Sequence, residues 1–529
     1  MLVGYVSDER FSAIPDALLE FENDERSVEA RSRASGAVHA ELPPGEYRVT
    51  LAKPGFGGKR TRIRIGKGEP HQFRLLSDCL LGYPWPKWVK AGDQSEFRVH
   101  SPEAYELELW RYGWQKELIR KLGWYDEHGP RATVQITPDG DYSRTGAEWN
   151  RFGYANPALK QYVTAPVRSG LYYFHARTRS GLFFSFPWVV APAKPACKLA
   201  VLASNITWNA YNAFGGRSNY INADRLPDVP TVNARQELQR YTDPEYVNYA
   251  ASEYAPLSFE RPELVNFVPE EQQVTSPIEG RTACHLAPAE WRLLGWLERE
   301  AFEYDYYAET QFHFGQFPLE EYEALILSTH PEYWSRAMYE RLKRWVCEQG
   351  GRLLYLGGNG LNCEVAFLDE ATMVVHNGNE RERLREGKTD SRFHARVESE
   401  ASLLGVAFTY DGIMTSAPYR VIDSAHWAFS GTGLREGDLF GEPSLHRRCP
   451  GGASGHETDK ITPHSPQNVH LLAQGTNPDS GGAQMVIYEA PGGGRVFSVG
   501  SITWPSSILV DDSVSKITAN VLRQFLKRK

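Results

Sequence analysis

The 529-residue chain predicts a multidomain protein in which two β-sandwiches precede an α/β domain with a parallel sheet. Three observations support this fold class. Residues 1 to 193 contain short segments in which apolar and polar residues alternate between Pro/Gly turns, as in antiparallel β-structure. From residue 197 onward, buried apolar strands alternate with amphipathic helices, which favours a parallel sheet. The length also suggests three domains, since a domain commonly has about 100–200 residues.

Residues 1–76 are predicted to form the first sandwich. A strand begins at Gly4, another ends the segment IPDALLEF, and a Pro-Pro-Gly turn leads into a third. The segments IPDALLEF and LPPGEYRVTLAKPGF resemble the carboxypeptidase regulatory-like domain, a small transthyretin-like β-sandwich. An unrelated sandwich with the same turns would leave the functional interpretation unchanged.

Residues 77–193 are predicted to form a second, immunoglobulin-like sandwich, because short alternating strands recur between turns. The predicted strands include Phe97–His100, Tyr105–Gly113, Ala132–Ile136, Gly170–Arg177 and Leu182–Val190. The Pro/Ala-rich stretch APAKPA that follows indicates a boundary.

Residues 197–529 are predicted to form the α/β domain, of flavodoxin or glutamine-amidotransferase type. Glycines 350 and 351 are expected to end one of its helices. From about residue 370 to the predicted strand that begins at Arg495, the sequence shows no regular alternation of strands and helices. The predicted strands are Lys198–Ser204, Ala324–Thr329, Arg352–Gly357 and Arg495–Gly500, and the predicted helices are Glu290–Ala301, Ser335–Gln349 and Ser513–Lys527.

Composition excludes several classes of protein. The net charge of −8 argues against a nucleic-acid partner, which normally requires a basic surface. No apolar stretch approaches the ~18 residues of a membrane span, and no secretory signal pattern precedes the first strand. The six cysteines form no CxxC pair, so we expect reduced thiols and a cytoplasmic protein rather than a disulfide framework or a zinc ribbon.

Polar or glycine-rich clusters follow four of the predicted strands, and open α/β sheets bind ligands at this edge. The sharpest cluster contains His330 and Glu332, which can face one cavity as a base and a separate metal-binding carboxylate. The alternative is structural. Glu332 would then occupy the first turn of the next helix, and His330 would be a satisfied turn residue.

Seven segments extend this observation to most of the α/β domain. In chain order, the segments are TWNAYN, FERP, WLEREAFEYDY, THPEYW, GGRLLYLGGNG, GASGHETDK and SITWPSSILVDDSVSKITANVLRQFLK. Through these segments, the chain from Cys197 to Lys529 resembles the catalytic domain of the N,N-dimethylformamidase large (beta) subunit. The resemblance implies an iron-dependent hydrolase of a small linear amide or formamide.

That family holds one iron ion through two tyrosines and one glutamate, so the resemblance implies a mononuclear, ferric centre. It places Glu332 on the carboxylate ligand and Tyr211 on the first tyrosine ligand. It places His330 on the catalytic base, and Asn359 on an asparagine that binds substrate or an oxyanion. Phenolate and carboxylate oxygens suit a hard cation such as ferric iron.

The second tyrosine ligand is expected ahead of the Arg-Pro pair at 261–262. Its distance to this pair favours Tyr246, and Tyr249, Tyr254 and Tyr220 stay open. The family also has a longer, lectin-like N-terminal region and a small partner subunit. Two compact sandwiches replace that region here, so the need for a small subunit and the formation of a homo-oligomer both stay open.

Two other functions compete with the amide hydrolase. One is a non-catalytic or carbohydrate-binding protein that uses its aromatic-rich sandwiches, since aromatic residues make up 12% of the chain. The other is a metal-free, amidotransferase-like enzyme, although the strand end reads Thr-His-Pro instead of Gly-x-Cys-x-Gly. We interpret Cys363 as a packing residue. Glu457 and Asp459 either support the site from a loop or form a structural salt bridge.

Overall fold

The computed structural model describes residues 1–66, 68–125, 135–149, 161–220, 226, 229–230, 255–269, 285–377 and 387–527. Within these ranges the protein consists mostly of β-sheets with few helices, as the two predicted sandwiches require. Only the last two residues of the predicted strand Ala132–Ile136 are described, and Gln135 forms an isolated bridge with Lys59.

The N-terminal strands form two facing sheets, with the strand orders β4-β1-β7 and β3-β2-β5-β6. Side chains at alternate positions, such as Val49 and Leu51, fill the core between them, while Arg48 and Thr50 face solvent. The predicted period of two is therefore confirmed. These strands are β1 (Leu2–Ser7), β2 (Leu18–Glu22), β3 (Ser27–Arg31), β4 (Ala37–His39), β5 (Gly45–Lys53), β6 (Gly57–Ile65) and β7 (His71–Arg74).

A second pair of sheets follows, with the orders β13-β10-β8 and β12-β11-β14-β15-β9. Phe97, Phe174 and Trp188 are buried in one hydrophobic cluster between them. This is a β-sandwich, and its immunoglobulin-like type stays a prediction. The strands are β8 (Leu81–Trp85), β9 (Trp88–Lys90), β10 (Gln94–His100), β11 (Tyr105–Tyr112), β12 (Lys116–Tyr125), β13 (Tyr162–Thr164), β14 (Gly170–Thr178) and β15 (Phe183–Ala191).

The C-terminal part contains one large sheet and several short ones. Its strands are β16 (Leu199–Ala203), β17 (Leu257–Ser258), β18 (Asp305–Ala308), β19 (Ala324–Thr329), β20 (Tyr333–Trp334), β21 (Arg352–Gly357), β22 (Cys363–Asp369), β23 (Thr372–Val375), β24 (Ala407–Thr409), β25 (Ser416–Ala417), β26 (Tyr419–Val421), β27 (Leu439–Phe440), β28 (Ser454–Gly455), β29 (Thr458–Lys460), β30 (His470–Gly475), β31 (Gln484–Glu489) and β32 (Arg495–Ser498).

Helical segments lie at the sequence positions between and after these strands. The α-helices are Tyr142–Thr145, Asn205–Tyr211, Ala287–Arg299, Glu309–His313, Arg336–Gln349, Ala401–Leu404, Trp504–Ser507 and Asp512–Phe525, and the 3₁₀ turns are Leu264–Asn266, Leu319–Glu321 and Trp427–Phe429. Among the described residues, no helix has both the length and the apolar character that crossing a membrane requires.

The large sheet has the order β18-β16-β19-β21-β32-β31-β30-β26-β27. Its first five strands are parallel, and numbered by chain position they lie in the order 2-1-3-4-5. All six residues of β19 are buried, which explains its continuous apolar run. The other four strands continue the sheet in antiparallel fashion and occupy part of the region that fitted no simple alternation.

The predicted helix that ends at glycine is confirmed as Arg336–Gln349. The Ser335 hydroxyl caps its first turn by accepting from the backbone N–H of Met338. Gly350 ends it at φ 77°, a left-handed conformation that glycine adopts without strain. Another predicted helix begins at Ala287 rather than at Glu290, because a proline in the first turn starts the helix without losing a hydrogen bond.

The sandwiches and the α/β part pack against each other through buried side chains. Trp88 and Tyr112 of the second sandwich lie in the largest hydrophobic cluster, which is built mainly from the C-terminal sheet and helices. Lys87 also forms a buried ion pair with Glu263, with 2.5 Å between Nζ and Oε1. The boundaries 1–76, 77–193 and 197–529 stay a prediction, and side-chain packing crosses the second of them.

Candidate active site

The candidate site lies where two neighbouring parallel strands end. β16 leads into the helix Asn205–Tyr211, and β19 leads into His330 and Glu332. Because the strands are paired in parallel, their carboxyl ends meet at one edge of the sheet. The hydroxyl of Tyr211 donates to Oε2 of Glu332 across this edge at 3.0 Å. Strand order reverses at this pair of strands, which is where open α/β sheets form a ligand crevice.

Three oxygen-bearing side chains converge at this point. The hydroxyl of Tyr220 lies 2.7 Å from that of Tyr211 and 2.8 Å from Oε2 of Glu332. Tyr333 donates its hydroxyl proton to Tyr220 at 2.8 Å, and the Asn219 amide donates to Tyr333 at 2.7 Å. Burial and the carboxylates of Glu332 and Glu457 hold the pKa of Tyr211 well above its usual value. We call Tyr211, Tyr220 and Glu332 the oxygen cluster.

Arg392 balances the charge of the buried Glu332. One guanidinium nitrogen lies 2.7 Å from Oε1 of Glu332, and the other donors reach Asn377 and Asn362. Sequence reasoning did not single out Arg392, because it lies in the region after residue 370 where no regular alternation marks the site. Oε1 of Glu332 therefore serves Arg392 and also lies 3.0 Å from the Tyr220 hydroxyl, while Oε2 faces both tyrosines.

His330 connects the oxygen cluster to a second carboxylate. Its Nε2 lies 3.3 Å from Oε2 of Glu332 and 3.2 Å from Oε2 of Glu457. Burial disfavours the imidazolium, but the two carboxylates outweigh this effect and raise the pKa of His330. The preceding residue, Thr329, has φ 64°, a strained conformation for a β-branched residue. Such strain is common where the surrounding structure fixes a functional residue.

Asn359 and Asp459 complete this side of the site. The Asn359 amide donates to Glu457 at 2.8 Å, and its backbone N–H donates to Asp459 at the same distance. His330 outweighs the effect of burial and lowers the pKa of Glu457 to about 2, whereas burial raises the pKa of Asp459 to about 7. Both acids of the segment GASGHETDK thus belong to the site, and Glu457 pairs directly with His330.

His285 also borders the site, and sequence reasoning missed it. Its ring centroid lies 5.0 Å from that of Tyr211, 5.2 Å from that of His330 and 4.8 Å from that of His456. The side chain is buried, and within the described part of the chain neither ring nitrogen has a hydrogen-bond partner. Burial lowers the pKa of His285 well below its usual value. No motif marks this residue, since it simply precedes the helix that begins at Ala287.

Two buried arginines hold the backbone that carries the tyrosines. Arg261, in the segment FERP, donates to the carbonyl oxygens of Phe214 and Asn209. Arg74, from the first sandwich, donates to the carbonyl oxygen of Gly215 at 2.9 Å. The loop between the helix Asn205–Tyr211 and Tyr220 is therefore fixed from two directions.

The structure brings together most of the sequence-predicted residues. Tyr211, His330, Glu332 and Asn359 lie in one site, and Tyr220 reaches it as well. Tyr246 lies outside the described residues, as do Tyr249 and Tyr254.

Two residues near the site, Glu332 and Cys363, also had structural interpretations. The interpretation of Glu332 as a first-turn residue is wrong, because the helix begins at Arg336 and the carboxylate points into the oxygen cluster. Cys363 is fully buried, with Sγ 3.4 Å from the carbonyl oxygen of His376.

Two further groups could hold a metal ion by residue type and spacing. Within each group the potential ligand atoms lie within 4.8 Å of one another. Among the described residues these groups are His446 with Cys449 and His456, and Asp390 with His394 and His464. Neither group contains a residue of the oxygen cluster.

The fold and the site define a mostly β protein with a buried, polar site at the carboxyl ends of parallel strands. Residues 106–515 match the model for the C-terminal region of N,N-dimethylformamidase beta subunit-like proteins, and the chain belongs to this family. The match begins before residue 197, where the resemblance was expected to start. Tyr112 and Tyr173 of the second sandwich, which fall within the matched residues, pack into the largest hydrophobic cluster.

Two relatives carry the name N,N-dimethylformamidase beta subunit. The protein from Paracoccus aminophilus is 24% identical over 401 residues, which is 64% of this chain and 50% of that protein. The protein from Alcaligenes sp. is 27% identical over 286 residues, which is 45% of this chain and 37% of that protein. The matched region thus spans half the length of these relatives or less.

Solved structures add little. A β-galactosidase from Rahnella sp. R3 is 12% identical, covers 46% of this chain and 28% of its own, and gives a TM-score of 0.27. A value this low carries no argument about fold or function.

Proposed function

We propose that the protein is an iron-dependent hydrolase of a small amide or formamide. The observation that carries the proposal is the oxygen cluster beside a buried imidazole. The relatives named N,N-dimethylformamidase beta subunit support an amide as the substrate class. The products would be an amine and a carboxylate.

The donor set fits a hard metal ion. The Tyr211 hydroxyl, the Tyr220 hydroxyl and Oε2 of Glu332 lie 2.7, 2.8 and 3.0 Å from one another. Adjacent ligands in octahedral geometry lie about 2.9 Å apart when metal–oxygen bonds are about 2.0–2.1 Å. An all-oxygen set of two phenols and a carboxylate suits ferric iron better than a soft metal. We therefore propose Tyr211, Tyr220 and Glu332 as ligands, with Tyr220 instead of Tyr246 as the second tyrosine.

Iron bound there would supply a Lewis acid that polarises the amide carbonyl and lowers the pKa of water. His330 would take a proton from this water at Nε2. The carboxylate of Glu457, 3.2 Å from Nε2, would stabilise the imidazolium that forms. The two carboxylates raise the pKa of His330, so they stabilise the imidazolium that forms when the residue takes the proton.

We propose a different role for Asn359 than the sequence predicted. One N–H of its amide is committed to Glu457. Among the described residues, its Oδ1 is buried without a hydrogen-bond partner. We propose that Asn359 orients Glu457 and that Oδ1 accepts an N–H of the departing amine or of a water molecule.

We also propose the finer features of the fold and the assembly. The strand order 2-1-3-4-5 of the parallel strands is that of flavodoxin-like sheets, which supports an α/β domain of that type at 197–529. The name beta subunit of the relatives supports a small partner subunit. Co-expression with such a subunit, followed by light scattering, would test the assembly.

Hydrolysis of small amides by the iron-loaded protein tests the proposal. Formamide and N,N-dimethylformamide would be incubated with the wild type, Tyr211→Phe and Glu332→Gln, and the released amine would be measured. We expect turnover by the wild type and a loss of at least about 10²-fold in each variant. Tyr339→Phe is a matched control, since this tyrosine contacts Ser402 away from the oxygen cluster. Full activity in both cluster variants would overturn the proposal and favour a metal-free or binding function.

A further inference from the structure

Beside the Lewis acid, the proposed chemistry would use a hydrogen-bond donor to the oxygen of the amide. As the carbonyl is attacked, its oxygen gains negative charge, and hydrolytic sites stabilise this charge with a fixed N–H or O–H group. One N–H of the Asn359 amide, the sequence-predicted candidate, already serves Glu457. Glu332 and Glu457 are acceptors and would repel the oxyanion.

His285 has the required properties. Its imidazole is 7% exposed and borders both Tyr211 and His330. No described residue forms a hydrogen bond with either of its nitrogens, although leaving a buried polar group unpaired costs about 1–3 kcal/mol. Unpaired buried groups of this kind are rare in folded proteins and require an explanation. A ligand between His285 and the oxygen cluster would remove that cost.

Neighbouring histidines fix the environment of His285. The backbone N–H of Cys449 donates to Nδ1 of His446 at 2.9 Å, so His446 carries its proton on Nε2. That Nε2 lies 3.2 Å from Nδ1 of His456 and donates to it, so His456 carries its proton on Nε2. These hydrogen bonds already occupy the facing nitrogens of the His446–Cys449–His456 group. We therefore assign that group a positioning role against the His285 ring rather than a metal.

We propose that His285 is a catalytic residue whose ring N–H donates a hydrogen bond to the carbonyl oxygen of the amide substrate. This inference rests on the proposed amide hydrolase function. The imidazole supplies this N–H donor without a proton transfer. The other ring nitrogen remains available as an acceptor for water.

The test compares His285→Phe with His285→Gln in the iron-loaded protein. Phe keeps the ring shape and removes the donor, so we expect kcat to fall about 10²-fold while iron content is unchanged. Gln restores an N–H donor, and we expect recovery to within about tenfold of the wild type. His175→Phe is the matched control, since His175 is another buried imidazole with a lowered pKa, located in the second sandwich.

A binding measurement separates this inference from the proposed function. Calorimetry would measure formamide affinity for the wild type and for both His285 variants, without turnover. At least tenfold weaker binding by His285→Phe than by His285→Gln would support the inference even if no amide were hydrolysed. Wild-type kcat and affinity in a folded, iron-containing His285→Phe variant would overturn the inference and leave the hydrolase proposal intact.

Discussion

Glu332 is a buried carboxylate, and each of its two oxygens has a charged or polar partner. Oε1 pairs with Arg392 at 2.7 Å, and Oε2 receives the hydroxyl of Tyr211 at 3.0 Å. Charge on a buried carboxylate is tolerated only when it is paired and hydrogen-bonded. Glu332 therefore has a structural role through Arg392 in addition to its proposed role as a ligand.

We expect Glu332→Gln to lose both iron and stability. Removing the charge leaves Arg392 buried without its counter-ion, and breaking a buried ion pair costs about 3–5 kcal/mol. Urea denaturation would measure the free energy of unfolding, and elemental analysis would measure iron. Glu364→Gln is the control, since Glu364 pairs with the partly exposed Arg396 outside the cluster. Retention of wild-type iron by Glu332→Gln would contradict the assigned ligand set.

The pH dependence of activity should report the interaction between Glu457 and His330. Glu457 contributes to the raised pKa of His330, so Glu457→Gln lowers that pKa. A base with a lower pKa stays deprotonated at lower pH, and the acid limb of the kcat/KM profile should therefore shift to lower pH. The measurement is the profile of both proteins on one amide. If the acid limb stays in place, His330 is not the base.

Residue-level reasoning from the sequence succeeded where a motif was local and failed where the fold brings distant residues together. His330 and Glu332 are two residues apart at a strand end, so their common direction could be predicted. His285 and Arg392 reach the site only because the chain folds back, and no local pattern marks them. Tyr220 was an open candidate, and its loop places it beside Tyr211.

Turns at the strand ends are the elements that position the catalytic side chains. Gly358 follows β21 and donates its backbone N–H to the carbonyl oxygen of Thr329 at 3.1 Å. A Cβ atom at this position would lie 2.5 Å from the carbonyl oxygen of Glu457 and 2.7 Å from the backbone nitrogen of Ile502. Backbone atoms cannot rotate away, so the segment that carries Glu457 would have to move.

We accordingly expect Gly358→Ala to lower kcat by at least about tenfold and to destabilise the protein by about 1–3 kcal/mol. The fall in kcat is expected because the displaced segment would move Glu457 away from His330. Gly45→Ala is the control, because among the described residues the heavy atom nearest to its new Cβ would be a ring carbon of Tyr47, at 3.8 Å. Amide turnover and urea denaturation would be compared in the two variants. Normal turnover in Gly358→Ala would show that the turn does not position Glu457.

Elements with strong local signals were predictable, and those that depend on pairing were not. Ser335 and Gly350 determine the helix Arg336–Gln349 through capping interactions that can be recognised in sequence. Strands β26 and β27 are three and two residues long, too short for a periodic signal. They are held by pairing with the edge of the large sheet, so only the folded protein reveals them.

On the scale of the whole molecule, the first sandwich contacts the backbone next to the oxygen cluster. Arg74 is fully buried and donates to the carbonyl oxygens of Asp8, Gly140 and Gly215. The backbone N–H of Gly215 in turn donates to the carbonyl oxygen of Glu9. The sandwich therefore supports the loop that carries Tyr220, which explains why an apparently separate domain matters for the site.

We expect Arg74→Met to destabilise the protein by about 3 kcal/mol, since buried carbonyl groups lose a charged donor. Iron affinity should also fall, because the loop that holds Tyr220 is less constrained. Arg48→Met serves as the comparison, since its pair with Glu22 is exposed and contributes at most about 1 kcal/mol. Thermal unfolding and iron titration would measure both effects. Unchanged iron affinity in Arg74→Met would mean that the first sandwich does not support the site.

The central claim is that Tyr211, Tyr220 and Glu332 bind one iron ion. The most direct measurement is elemental analysis of the wild type, Tyr211→Phe, Tyr220→Phe and Tyr246→Phe, together with their visible spectra. We predict about one iron per chain and a phenolate-to-iron absorption in the wild type and in Tyr246→Phe, with both lost in the other two variants. The claim would be contradicted if the wild type contained no iron after ferrous loading in air. It would also be contradicted if Tyr220→Phe retained its iron.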